Sequence, residues 1–155
     1  MKTNDIYREF TFGWLLLAVM MPTYTLMVYL FVNDLGDRPF TPQAFLLTTI
    51  SMALACLMFY GMTTIVTDDA VTVSFGIGLI RKRILLQRIM TLRIVKSPWY
   101  YGRGIRFIPN GRMYNISGNK AVELTFNDSD RVFWIGTRNP EELIDAIENK
   151  IQSKR

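Results

Sequence analysis

The segment with the richest binding chemistry lies at 100–118 and reads YYGRGIRFIPNGRMYNISG. Arginine presents planar N–H donors to phosphate or carboxylate, and glycine lets the backbone approach such a group closely. The stretch overlaps a longer segment, 70–122, that holds ten basic residues and no acidic one. Seven of the ten are candidate ligands for an anionic lipid headgroup or an acidic partner: Arg81, Lys82, Arg83, Arg88, Arg103, Arg106 and Arg112.

Catalytic chemistry is hard to locate in this sequence. It has no histidine, the commonest general base and metal ligand, and Cys56 is its single cysteine. The pairs Gly76-x-Gly78 and Gly102-x-Gly104 lack the rest of a phosphate-binding loop. We therefore expect no catalytic residues, no metal site and no cofactor. A lipid-processing enzyme is the less favoured alternative, because it would need catalytic acids that the sequence does not reveal.

The elements that must position the basic residues begin with two uncharged runs, 12–32 and 45–66. At about 1.5 Å per residue, each helix would cross the roughly 30 Å hydrocarbon core of a bilayer. We expect two transmembrane helices. The alternatives are two buried helices of a soluble protein and, for the first run, a signal peptide. A signal peptide has a shorter apolar region of about 7–15 residues, whereas this chain soon spans again.

Charge and turn residues predict how these runs are arranged. The linker 33–44 has two prolines and a glycine, as expected of a turn between antiparallel helices. Four basic residues follow the second run within 81–88, and such residues are retained on the cytoplasmic side. We therefore expect a cytoplasmic tail (1–11), an external linker and a cytoplasmic domain (67–155). The protein would be a multi-pass protein of the plasma (inner) membrane with both termini inside.

The C-terminal part alternates apolar and polar residues, which is typical of half-buried strands. Asn110-Gly111 between two such runs predicts a hairpin, and Asn139-Pro140 followed by Glu142 predicts a helix start. The predicted fold is a membrane helical hairpin followed by an α+β domain. One C-terminal helix caps a barrel or sandwich of about seven antiparallel strands: 71–75, 79–86, 91–96, 105–108, 112–116, 121–126 and 131–135.

Seven short strands closed by one C-terminal helix is the element order of a pleckstrin-homology-like (PH-like) domain. The chain resembles bacterial PH-like domains of small membrane proteins of unknown function at 104–106 (GIR), 114–118 (YNISG), 121–124 (AVEL), 135–137 (IGT) and 140–141 (PE). The resemblance covers 67–152 and the preceding helical hairpin, and it implies that fold beside a membrane. PH domains that bind phosphoinositides use basic residues near their first two strands, a region comparable to 81–83.

Two kinds of function fit these features. The first is a non-catalytic, membrane-anchored module that binds a partner protein or anionic lipid headgroups, alone or as a homo-oligomer. The second is an accessory subunit that docks to a larger membrane complex through its helices. Nucleic acid is not an expected partner, because the sequence has no recognisable binding motif and a membrane anchor would confine the domain. Trp99, Tyr100 and Tyr101 are candidates either for the membrane interface, where such side chains concentrate, or for packing on the barrel.

Overall fold

A computed structural model of the chain describes residues 6–35, 41–97, 104–116 and 118–153. These residues form two long apolar helices, two β-sheets and a C-terminal helix. In chain order the elements are β1 (Tyr7–Phe12), α1 (Trp14–Val32), α2 (Pro42–Phe59), β2 (Gly61–Val66), β3 (Ala70–Phe75), β4 (Ile80–Leu85), a 3₁₀ turn (Leu86–Arg88), β5 (Ile89–Lys96), β6 (Gly104–Ile108), β7 (Gly111–Asn115), β8 (Lys120–Phe126), β9 (Ser129–Gly136) and α3 (Pro140–Gln152).

Helices α1 and α2 are candidate membrane-spanning helices. They have 19 and 18 residues, and only 6 % and 0 % of their most apolar windows are buried against protein. This exposure is unlike that of the core helices of a soluble domain. Hydroxyl side chains along both helices donate to the carbonyl four residues earlier, so each hydroxyl hydrogen has a partner without water: Thr23, Thr25, Thr48, Thr49 and Ser51.

The two apolar helices are inserted into a β-hairpin. β1 pairs antiparallel with β2 from Tyr7↔Val66 to Phe12↔Gly61, and one residue joins each strand to its helix. Two sequence expectations are corrected here. The predicted tail (1–11) contains most of β1, and the predicted helix 45–66 ends at Phe59. The uncharged run continues as a strand because its last residues are mostly β-branched and pair with strands on both sides.

The strands form two open sheets rather than one seven-stranded barrel. Their orders are β1-β2-β3-β4 and β5-β8-β9-β7-β6. The seven predicted strands are all present, and β1 and β2 bring the number within the described residues to nine. The expectation of antiparallel pairing alone was wrong, because β7 and β9 are parallel. The hairpin predicted at Asn110-Gly111 is confirmed: Ile108 pairs with Gly111, and Asn110 has a φ of +63°.

The core lies between the two sheets and under α3. A row of aromatic rings crosses it from the end of α2: Phe59 contacts Phe75, Phe75 contacts Tyr114, and Tyr114 contacts Phe133. The ring centroids are 6.0, 5.4 and 4.8 Å apart, within the range of favourable edge-to-face contacts. The last turn of α2 therefore packs into the same core as both sheets.

Helix α3 begins at Pro140, as predicted, and closes one side of this core. Leu143 and Ile147 on its apolar stripe are fully buried. Asn139 and Glu142, the residues that predicted this start, do not form the reciprocal side-chain-to-backbone hydrogen bonds of a capping box. No side chain caps the helix by a hydrogen bond to the backbone, and Asn139 Nδ2 instead donates to Glu142 Oε2 at 3.4 Å.

Candidate functional site

The register of the strands defines a near end and a far end of the β domain relative to the helices. β2 starts next to α2, so Phe75 and Ile80, at the turn between β3 and β4, lie at the near end, and Leu85 lies at the far end. In the second sheet, Ile116 follows β7 and contacts the link between β1 and α1, because its side chain lies 3.1 Å from the position of a Cβ built on Gly13. The starts of β7 and of its parallel neighbour β9 are therefore at the far end.

An open cleft of about 1070 Å³ lies at this far end, between β4 with the 3₁₀ turn and the starts of β7 and β9. We call it the basic cleft, after its five basic lining residues: Lys82, Arg83, Arg88, Arg112 and Arg131. Asp130 is the one acidic residue that lines it. Asn110 and Ser129 supply further polar groups, and Phe107 and Phe126 supply aromatic surface.

Four of the seven predicted binding residues meet in the basic cleft, namely Lys82, Arg83, Arg88 and Arg112. Arg81 is exposed on β4 but does not line it. Arg106 is on the opposite face of its sheet, because it pairs with Met113, whereas Arg112 pairs with Phe133 and shares the core-side face. Arg103 and the predicted interface residues Trp99, Tyr100 and Tyr101 lie outside the described residues.

The sequence analysis missed Arg131, which also lines the cleft. Arg131 was not among the predicted binding residues because it lies outside the acid-free segment 70–122, close to Asp128 and Asp130. The position of Arg131 at the start of a predicted strand, like that of Arg112, was the available signal. This position indicates a cleft residue only when β7 and β9 are known to be parallel, because their starts then lie side by side.

Local contacts hold two of the cleft arginines in place. Arg88 lies 2.7 Å from Asp128, in an ion pair with about half of each side chain exposed, and its guanidinium lies 5.8 Å from the centre of the Phe126 ring. The Arg112 guanidinium lies 5.3 Å from the ring centre of Phe107, which is 80 % exposed. Such stacking orients a guanidinium without neutralising it.

The cationic groups of the cleft other than Arg88 keep their charge available. Among the described residues Lys82, Arg83, Arg112 and Arg131 form no ion pair. Lys82 pairs with the buried Val73, so it points from an edge strand toward the space between the sheets. Inward-pointing charges also protect edge strands from aggregation, which by itself accounts for one lysine but not for five basic residues around one cleft. The arrangement suits reversible binding of an extended anionic group.

A second polar cluster surrounds Glu9 on β1. Its carboxylate accepts hydrogen bonds from the hydroxyls of Tyr7, Thr11 and Thr137 and from the backbone N–H of Arg138. Burial raises the pKa of the Tyr7 phenol, and the neighbouring Glu9 carboxylate raises that pKa further. Thr11 and Thr137 are fully buried. The cluster joins β1 to the segment between β9 and α3, so we interpret it as a structural contact.

The chain matches no protein-family model and shows no significant similarity to a curated protein or a solved structure. Within the part of the chain that the structure describes, no group of three or more His, Cys, Asp or Glu side chains could hold a metal ion. The function is therefore argued from the cleft and from its position relative to the helices.

Proposed function

We propose that this protein is a non-catalytic, membrane-anchored module whose basic cleft binds an acidic segment of a partner protein at the cytoplasmic membrane face. Helices α1 and α2 are the anchor and cross the plasma (inner) membrane. Both chain termini lie in the cytoplasm. The excess of Lys and Arg in the β domain supports this orientation, since basic segments flanking membrane spans stay on the cytoplasmic side.

The observation that carries the proposal is that five basic residues line one cleft, most of them toward the far end of the β domain. Along β4 the cleft is lined by Lys82, Arg83 and Ile84, which lie roughly 7–13 Å from Ile80 at about 3.3 Å per residue, and the 3₁₀ turn with Arg88 lies farther along the chain at the far end. The headgroup layer outside the hydrocarbon core is only about 5–8 Å thick. Electrostatic attraction is screened over about 8 Å at physiological salt. A partner in the cytoplasm therefore fits the cleft better than the headgroups of the membrane that holds the anchor.

The architecture also supports the proposal that the β domain is PH-like. Two packed sheets and one C-terminal helix agree with the element order of that class. The chain departs from it in having nine described strands, a parallel pair and a helical hairpin between its first two strands. The PH-like class therefore describes the proposed architecture, whereas the cleft supports the proposed binding function.

An accessory role in a larger membrane complex is the second candidate. It is favoured by the surface of α1 and α2, on which Met27 is the one buried side chain among the described residues. The rest of that apolar surface faces lipid or other helices. Crosslinking from this surface in native membranes tests the role, and a homo-oligomer would appear as crosslinks between copies of this chain. Crosslinks to lipid alone would argue against both the larger membrane complex and the homo-oligomer.

The basic cleft is tested by removing its charge from the full chain in nanodiscs of neutral phosphatidylcholine. We expect the triple variant Lys82→Gln, Arg112→Gln, Arg131→Gln to bind a short fluorescent polyglutamate peptide about tenfold more weakly than the native protein. Exposed charge pairs contribute up to about 1 kcal/mol each, and 1.4 kcal/mol corresponds to tenfold. Fluorescence anisotropy at low ionic strength measures the dissociation constants.

The matched control removes the same charge elsewhere. Lys96→Gln, Arg106→Gln, Lys120→Gln alters three basic residues that do not line the cleft, and it should leave most of the affinity intact. An equal loss in both triple variants would mean that net charge attracts the peptide, and the cleft would lose its role. If adding phosphatidylglycerol to the nanodiscs displaces the peptide from the native protein, headgroups occupy the cleft and the protein-partner proposal fails.

A further inference from the structure

The turn between β3 and β4, residues 76–79, packs directly against the end of α2. The Gly76 N–H donates to the Gly61 carbonyl at 2.8 Å. A Cβ built on Gly76 would lie 2.2 Å from the Leu57 carbonyl oxygen, so only a glycine permits this approach. The turn therefore lies beside the last turn of a candidate membrane-spanning helix, at the near end of the β domain.

This turn exposes two large apolar side chains at that position. Ile77 is 60 % exposed and Leu79 is 66 % exposed. Single exposed apolar residues are common on protein surfaces and need no explanation. These two alternate with Gly76 and Gly78, and the glycine between them and β3 packs on the end of α2, where Leu57 is exposed as well. On the β1–α1 side, Phe12 and Trp14 are exposed as well, so apolar groups surround the helix ends.

The links between the β domain and the helices leave little freedom of orientation. Gly13 alone joins β1 to α1, and its N–H donates to the carbonyl of Tyr60, the one residue between α2 and β2, at 2.8 Å. If α1 and α2 span the membrane, the near end of the domain is thus fixed next to the membrane surface. Arg81 follows the turn, and its guanidinium nitrogen lies 3.3 Å from the position of a Cβ on Gly78. A cation here can reach phosphate groups while its stem lies on apolar surface.

We propose that the β3–β4 turn is a third membrane contact, in which Ile77 and Leu79 enter the boundary between acyl chains and headgroups and Arg81 meets lipid phosphate. The occupant of this apolar surface is the bilayer itself, because the turn packs against the last turn of α2, whose exposed side chains are apolar. The inference rests on the proposed membrane anchoring. Its consequence is an orientation that holds the far part of the basic cleft, with Arg88, Arg112 and Arg131, away from the membrane and open to the cytoplasm.

Site-directed spin labelling of the full chain tests this contact. Cys56→Ala provides a background without the native thiol, and labels are attached at Ile77→Cys and Leu79→Cys in vesicles of phosphatidylcholine and phosphatidylglycerol. Leu54→Cys on the exposed side of α2 is the lipid reference, and Gln87→Cys at the far end is the aqueous reference. We expect collisions with oxygen to exceed those with a water-soluble nickel complex at 77 and 79, shifting both sites toward the Leu54 value.

The two reference sites separate the possible failures. A lipid-like Leu54 label with water-like labels at 77 and 79 would overturn the third contact and leave the membrane anchor intact. Water-like behaviour at Leu54 as well would overturn the anchoring itself. A lipid-like label at Gln87 would contradict the proposed orientation, because it would bring the far end of the domain to the membrane.

Discussion

Gly76→Ala is expected to lower the free energy of unfolding by about 4 kcal/mol, through backbone strain and a steric clash. The φ of Gly76 is +51°, a region that costs an L residue about 1–2 kcal/mol. The new Cβ would also lie 2.2 Å from the Leu57 carbonyl oxygen and 2.5 Å from that of Met58. Both are backbone atoms, so no change of rotamer relieves the clash. Thermal unfolding of the full chain in detergent, followed by near-ultraviolet circular dichroism, should show a Tm lower by about 10 °C.

Gly104→Ala is the matched control for backbone strain. Gly104 has a φ of +99°, but no described atom lies within 4 Å of a Cβ built there. Alanine at this position therefore adds strain without a clash, and we expect a loss of only about 1–2 kcal/mol. If the two variants lost equal stability, the close contact between the β3–β4 turn and α2 would not contribute to the fold.

The contact at Gly76 bears on the proposed function because it couples α2, part of the proposed membrane anchor, to the β domain. Anchored domains on long flexible linkers sample many orientations. Here Gly13 and Tyr60 are the one-residue links, and Phe59 from α2 packs on Phe75 in the core. An orientation defined in this way would serve the proposed binding cleft, since a partner would meet the same surface on every copy of the protein.

The sequence predicted the secondary structure of the C-terminal part well, because alternation and turn residues are local signals. It failed at β2, where hydropathy cannot distinguish the end of an apolar helix from a buried strand. Gly61 followed by Thr63, Thr64, Ile65 and Val66 was the available local signal, since β-branched residues favour strands. Their pairing with β1 and β3 decides the outcome, and no local pattern contains it.

β1 was missed because its polar residues, and not its apolar ones, face the interior. Tyr7, Glu9 and Thr11 face inward, while Phe10 and Phe12 are exposed beside the helices, so its polarity is inverted relative to an ordinary half-buried strand. One practical consequence is that a fragment beginning at residue 67 lacks two strands of the first sheet, including the buried Met62 and Val66. Binding experiments therefore require the full chain.

The basic character of the candidate site was predictable from the sequence. Which basic residues line the cleft was not. The acid-free segment indicated a basic surface, and four of the predicted residues line one cleft. Which members converge depends on strand register, because neighbouring residues of a strand face opposite sides of a sheet. Arg106 and Arg112 lie six positions apart in sequence, yet the turn of the β6–β7 hairpin places them on opposite faces. Arg131 joins Arg112 only through the parallel pairing of β7 with β9.

Glu9→Ala is expected to destabilise the protein by about 3 kcal/mol, because it removes a carboxylate that accepts four hydrogen bonds. The buried hydroxyl of Thr137 would lose its acceptor, and each unsatisfied buried polar group costs about 1–3 kcal/mol. We expect a Tm about 6–12 °C lower in the same detergent. Glu148→Ala, which removes an exposed carboxylate from α3, is the control and should change Tm little. Equal shifts would show that the Glu9 cluster adds no specific stability.

The same cluster predicts how stability depends on alkaline pH. The pKa of Tyr7 is raised in the folded protein, first by burial and then by Glu9, whereas an unfolded tyrosine ionises near pH 10. Above about pH 10 the unfolded chain releases a proton that the folded protein retains, so the stability contributed by neutral Tyr7 is present below that pH and falls above it. Tyr7→Phe should lose less stability than the native protein between about pH 9 and pH 11, since the other titrating groups are common to both. Identical slopes in the two proteins would mean that Tyr7 is not held neutral by its surroundings, and the close packing of β1 against Thr137 would then be wrong.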